Sequence, residues 1–267
     1  MSVMSAGLQA PPTPGPAAAV LGARSAGLDR GEAGRPSPSA EHAAAAPPPE
    51  AGTPPGAPRF AEREWPTPPG SLTGYLWPVA KSRLTLPFGP TRLGSRVVGD
   101  RRFHDGIDLA TFCGDRVVAA HAGIVLAAGR RYDAWMGWRG SLDPYEDRLT
   151  EKQLWITLPI VIVIDDGNGY RSVYAHLKRV VVRAGQEVRA GQLLGYEGRT
   201  GRASGCHLHY GLFSPLEERT FALRADIAER MLLPAGETAR VDPLLVLPPR
   251  PGDPTPIGDP FADPGDR

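Results

Sequence analysis

The sequence predicts an all-β fold: a single antiparallel β-sheet domain with a short helical insert, set between disordered, proline-rich termini. Three observations carry this. Short runs rich in β-branched and aromatic residues recur at 117–120, 123–128, 158–164, 171–176, 180–182 and 208–213, each bounded by Gly, Asp or Asn, which is strand punctuation. Between two of them lies Asp165-Asp166-Gly167-Asn168-Gly169, and Asp-Gly and Asn-Gly supply the positive φ values of a tight hairpin turn. Proline is concentrated at the ends of the chain, with 15 of 30 in residues 1–69 and seven in the last 20 residues.

Proline- and alanine-rich segments of that kind offer too little apolar surface to offset the entropy of ordering. The organisation expected is therefore a disordered leader over 1–69, a folded domain over 70–247 and a disordered tail over 248–267. The chain of 267 residues is 41% apolar and 22% charged with a net charge of +1, ordinary values for a globular protein. That balance carries no electrostatic footprint for nucleic acid. No run of about 18 apolar residues is present, so no transmembrane segment is expected, and prolines from Pro11 onward interrupt any standard secretory signal. Cys113 and Cys206 are too few for a disulfide framework, and the sequence leaves open whether they pair.

Two stretches depart from the short-turn pattern. Residues 130–155 hold Tyr132, Trp135, Trp138, Tyr145 and Trp155 among charges and glycines; they are expected to form an aromatic loop that either flaps over the core or walls a groove. Residues 217–233 place Phe221, Leu223, Ile227, Met231 and Leu232 near helical spacing, which predicts one amphipathic helix packed on the sheet.

The chemistry lies in the histidines. His207 and His209 are two apart in an apolar run, so on a strand they project from one face. Such a pair can hold a metal, or one can hold it while the other handles protons. His104 and Asp108 are four apart around Gly106 and Ile107, an even separation that again shares a face on extended backbone. With one histidine of the 207/209 pair they supply three ligands suited to zinc, leaving a fourth position open. Alternation along 173–177 places His176 on the Tyr174 side of its strand. His42 falls in the leader, and His121 is expected to be structural.

His-x-x-x-Asp, then Tyr174-Ala175-His176-Leu177, then His207-x-His209 resembles the lysostaphin/LytM-type zinc metalloendopeptidases, which hydrolyse peptides of bacterial peptidoglycan. Flanking segments agree: Trp77-Pro78-Val79 with Phe88-Gly89-Pro90-Thr91-Arg92, the Gly185–Gly195 turns, Thr200-Gly201, and Val241-Asp242-Pro243-Leu244. The family usually has small residues before Phe-Gly, where this chain has Pro87. The resemblance covers about residues 77–247 and implies a fold of the lysostaphin/LytM type. It assigns His104, Asp108 and His209 as ligands of one Zn2+ per domain, and His176 and His207 as the catalytic pair. It implies an endopeptidase working through a metal-activated water on peptidoglycan peptide, acting as a monomer at the cell envelope or outside the cell. The alternative it allows is a non-catalytic member that regulates other cell-wall hydrolases.

Overall fold

The structure, a computed structural model, describes residues 66–262. The expected leader up to residue 65, His42 within it, and residues 263–267 lie outside the described residues.

The domain is all-β and antiparallel, and its strands are distributed over three sheets. The largest runs Arg83–Leu86, Ile107–Ala110, Leu208–Phe213, Arg171–Ala175, Val161–Asp165, Gly123–Gly129 and Glu187–Val188 in spatial order, with Arg240–Val241 also pairing along Leu208–Phe213. Its centre reads as continuous apolar sequence because both faces are covered. Along Val161–Asp165, Ile162 and Ile164 enter the main core beside Tyr174 and Tyr210, while Val161 and Val163 face the opposite way with Val173, Ala175 and Phe213. The Asp165–Gly169 hairpin forms as the sequence predicts, with Gly167 at φ 71° and the Asp165 carboxylate accepting from the Gly167 N–H at 3.0 Å.

A second sheet comprises Gly236–Thr238, Thr220–Leu223, Arg96–Val98, Arg101–His104 and Gly89–Pro90; a third comprises Arg179–Val180, Leu193–Tyr196 and Arg116–Val118. His104 ends the second sheet and Asp108 lies in the first, so the short link between them joins the two sheets.

Both inserts differ from expectation. The aromatic stretch contains a helix, α1 (Asp143–Glu151), with Pro144 in its first turn and buried Tyr145 and Leu149 one helical repeat apart. The second stretch is a strand before it is a helix. Phe221 and Leu223 alternate into the second sheet, and α2 (Ala225–Met231) begins only afterwards. The two inserts meet: Tyr145, Leu149 and Leu158 pack with Met231 and Leu233.

The proline-rich tail is also not free over 248–262. Ile257 and Phe261 pack on the main core. The Arg250 guanidinium lies 3.5 Å over the Trp77 ring and donates to the Ser82 and Val79 carbonyls, while the Trp77 indole N–H donates to the Pro248 carbonyl at 2.8 Å. Proline lowers the entropy that ordering must overcome, and a few anchors along the segment suffice to dock it. Cys113 and Cys206 form a disulfide with Cα atoms 5.3 Å apart.

Candidate metal centre and cleft

Strand register builds the first half of the site. His209 pairs directly opposite Asp108, so their side chains leave the same face of the main sheet. His104 reaches the same point from the end of the second sheet. His104 Nε2, Asp108 Oδ1 and His209 Nδ1 lie 3.1–3.2 Å from one another. Gly106 makes this approach possible. A Cβ there would come within 2.6 Å of the Tyr210 carbonyl oxygen and 2.8 Å of the His209 ring.

The donor set suits a cation. The Pro87 carbonyl can only accept, so His104 Nδ1, 2.9 Å away, carries a hydrogen; in the neutral ring Nε2 then offers its electron pair to a cation, and without one a proton on Nε2 bonds the Asp108 carboxylate. Burial disfavours the charged form of Asp108, but its hydrogen bonds with His104 and His209 outweigh that and hold the carboxyl well below the usual range. Two imidazole nitrogens and a carboxylate oxygen at these separations match a tetrahedral ion with ligand bonds of about 2.0–2.2 Å.

The remaining two histidines border the cluster. The His176 ring lies 4.7 Å from that of His207 and 6.2 Å from that of His209. Strand alternation would have sent His176 with Tyr174 into the core, where the Tyr174 hydroxyl bonds to the Ala120 amide. Instead, His176 takes a left-handed conformation at φ 66°, which breaks the alternation and turns the imidazole to the cluster. His176 Nδ1 donates to the Thr200 carbonyl at 2.8 Å, and Thr200 is itself fixed through its hydroxyl to Leu177 and Ile160. His207 Nδ1 donates to the Gly205 carbonyl at 3.1 Å, and its Nε2 stands 3.8 Å from Asp108. In the neutral form of each ring, Nε2 is thus the nitrogen that carries the electron pair. Burial, with His209 and His207 nearby, lowers the His176 pKa to about 4, so its imidazole is neutral at physiological pH. His121 stands apart, stacked on Tyr75 at 4.6 Å.

A cleft of about 660 Å3 opens over these residues and continues between the two inserts. Its base holds an ionic network that the sequence reading did not single out. Arg96 pairs with Asp105 at 3.4 Å and with Glu237, and Glu237 also pairs with Arg240. Arg240 in turn donates to the Met136 carbonyl and lies 4.1 Å over the Phe213 ring. Arg96 and Glu237, the pair at its centre, are 141 residues apart in sequence, so no local spacing announces them.

The chain resembles known proteins over this region. Residues 151–219, which include His176, His207 and His209, match Peptidase family M23. The chain is 39% identical over 82 residues to the peptidoglycan DD-endopeptidase ShyA of Vibrio cholerae, covering 30% of this chain and 18% of that protein. It is 30% identical over 133 residues to the DD-carboxypeptidase/endopeptidase Mpg of Neisseria meningitidis serogroup B, covering 50% of this chain and 25% of that protein. The chain therefore spans a quarter or less of the length of these two relatives. The catalytic domain of lysostaphin from Staphylococcus simulans aligns at 24% identity over 50% of this chain and 81% of that one, with a TM-score of 0.36. The resemblance read from the sequence is borne out: the segment that carries His176, His207 and His209 is similar to Peptidase family M23 and to proteins named as peptidoglycan endopeptidases. Among the described residues no helix is long and apolar enough to cross a membrane.

Proposed function

We propose that the domain is a zinc endopeptidase that hydrolyses peptides of bacterial peptidoglycan, acting as a monomer in the envelope or outside the cell. The observation that carries this reading is the convergence of five side chains: three electron-pair donors within 3.2 Å of one another and two imidazoles oriented beside them. The names of the relatives support the substrate class.

In this reading His104, Asp108 and His209 hold one zinc ion. When bound, the ion supplies Lewis acidity and a lowered water pKa. The chain's own groups do the rest. His176 and His207 each present an Nε2 whose partner Nδ1 is tied to a backbone carbonyl, so ring orientation and tautomer are set before substrate arrives. A neutral imidazole so placed accepts a proton from the attacking water and returns it to the leaving amine. Its neighbour, once protonated or acting through N–H, stabilises negative charge on the carbonyl oxygen. The cleft, walled by both inserts, orients the peptide along the cluster.

Digestion of purified bacterial sacculi, with mass spectrometry of the released peptides, tests the proposal. The zinc-loaded protein is expected to release products cut at a peptide bond, and a chelator is expected to abolish their release. Intact sacculi after treatment with protein shown to contain zinc would favour the non-catalytic, regulatory alternative.

A further inference from the structure

His207 and His209 stand side by side, yet the chain holds them by different means. His209 lies within a strand, paired with Asp108 on one side and with Ala175 on the other. His207 precedes that strand. It pairs through an isolated bridge to Gly198, whose carbonyl accepts from the His207 N–H at 3.2 Å. Its ring is oriented by the Gly205 carbonyl, which accepts from Nδ1 at 3.1 Å. Gly198, Gly201 and Gly205 all fall between that bridge and His207, and glycine leaves a backbone free to take many conformations. The direction of the His207 imidazole therefore depends on what fixes Gly205 and Cys206 in space.

Cys206 is bound to Cys113. Cys113 sits in a turn that closes on itself: the Asp115 N–H donates to the Phe112 carbonyl at 3.0 Å, and the Phe112 N–H to the Asp115 carboxylate at 3.3 Å. Glu197 grips this turn. Its carboxylate accepts from the Thr111 hydroxyl at 2.8 Å and from the Thr111 N–H at 3.3 Å. Its carbonyl accepts from the Gly114 N–H, and its own N–H donates to the Asp115 carbonyl, both at 2.8 Å. Glu197 also immediately precedes Gly198, the bridge partner of His207. The contacts thus form a closed circuit: Glu197 to the turn, Cys113 to Cys206, Cys206 to His207, and His207 through Gly198 back to Glu197. The Glu197 residue is buried, and among the described residues its carboxylate meets Thr111 and no cation. A carboxylate is costly to bury on those terms for packing alone. Its place in the circuit gives it a use.

We propose that Glu197 is a positioning residue: together with the Cys113–Cys206 bridge it braces the Gly205–Cys206 backbone and so aims the His207 imidazole at the cluster. His209, held by its strand pairing, does not depend on the brace. That His207 acts on a substrate rests on the function proposed above; the bracing of its ring rests on the contacts of this region.

Two measurements on the zinc-loaded full chain separate these. Heteronuclear NMR of the histidine ring nitrogens at about pH 8, where an ordinary imidazole is neutral, reports the His207 tautomer. Steady-state hydrolysis of soluble cross-linked wall peptides reports kcat and KM. The wild type is expected to hold His207 as the Nδ1–H tautomer. Glu197→Ala, and the double replacement Cys113→Ser with Cys206→Ser, are expected to keep one zinc per chain, which also reports that they are folded. In both, the His207 proton is expected to exchange between Nδ1 and Nε2, and kcat to fall at least tenfold with KM within about threefold, as lost orientation of a proton-transfer group implies. Glu197→Gln can still accept from the Thr111 N–H and can donate to its hydroxyl. It is expected to keep the tautomer and to hold kcat within about twofold of the wild type. A fixed Nδ1–H tautomer in both disrupted proteins would overturn the brace. Loss of zinc along with the tautomer would overturn it too, because the support would then be general and not directed at His207. Release of the tautomer as expected, in a protein whose wild type hydrolyses nothing, would retain the brace and overturn the proposed reaction instead.

Discussion

Gly106 shows how a single residue shapes the cluster, because the link between the ligand-bearing strands lies against the His209 ring only in the absence of a side chain. The nearest obstacle to a Cβ is the Tyr210 carbonyl, which belongs to a central strand and cannot swing aside. Gly106→Ala is therefore expected to displace His209 from Asp108, weaken zinc binding at least tenfold in competition with a chromogenic chelator, and lower stability by about 1–3 kcal/mol. Zinc affinity equal to the wild type would show that the link has slack. His176 makes a different case. Its left-handed backbone costs about 1–2 kcal/mol in a non-glycine residue, and the Thr200 contacts hold it there. His176→Ala is expected to keep zinc and to lose hydrolysis by roughly 10^2–10^4-fold, the usual worth of a positioned general base or acid.

At the scale of elements, the disulfide borders the site, while the Asp165–Gly169 hairpin closes the far end of the strand that pairs with His209. Cys206 immediately precedes His207, and Cys113 follows the strand that carries Asp108, so the bridge ties together the two segments converging on the cluster. It closes a loop of 93 residues, for which chain entropy sets a ceiling of about 4.6 kcal/mol, and disulfides typically realise about 2–4 kcal/mol. Replacing both cysteines by serine is expected to cost that amount in guanidinium denaturation, and reductant is expected to bring the wild type to the same midpoint. The hairpin buries Asp166 beneath Tyr75 and Ser172, which donate to its Oδ2 at 2.8 and 2.7 Å. Burial raises its pKa from 3.8 to about 8 despite those bonds. The folded state therefore holds a proton that the unfolded chain releases. The stabilisation is full below the unfolded pKa and is lost as pH rises through about 8. Asp166→Asn removes this dependence, so its stability is expected to flatten relative to wild type between pH 4 and 8; parallel curves across that range would contradict the assignment.

The described residues join three sheets, two inserts and a docked tail. Ending the chain at Leu247 removes the packing of Ile257 and Phe261 and the Arg250 contacts, and is expected to lower stability by about 2–4 kcal/mol, as two partly buried apolar side chains imply. An unchanged midpoint would mean that the tail is passive. The strands, the hairpin and the sharing of one face by His207 and His209 were legible in the sequence because a two-residue period is local and strong; the pairing of His209 with Asp108 is a matter of register between strands. The direction of the His176 side chain was not legible, although the resemblance pointed to the residue, since one left-handed residue reverses the face that alternation predicts. Helix α1 was hidden by its aromatic residues and charges, and the Phe221–Leu223 strand by a spacing that also fits a helix. The Arg96–Asp105–Glu237–Arg240 network and the docked tail arise only from tertiary contact, which no local pattern encodes. The central claim is that His209 binds the metal while His207, two residues away on the same strand, acts on the substrate. Zinc content and peptide release from sacculi, measured together on His209→Ala and His207→Ala, test it directly. The account predicts that the first variant loses both zinc and release, and that the second retains one zinc per chain and loses only release. Wild-type zinc in both variants, or loss of zinc in both, would contradict it.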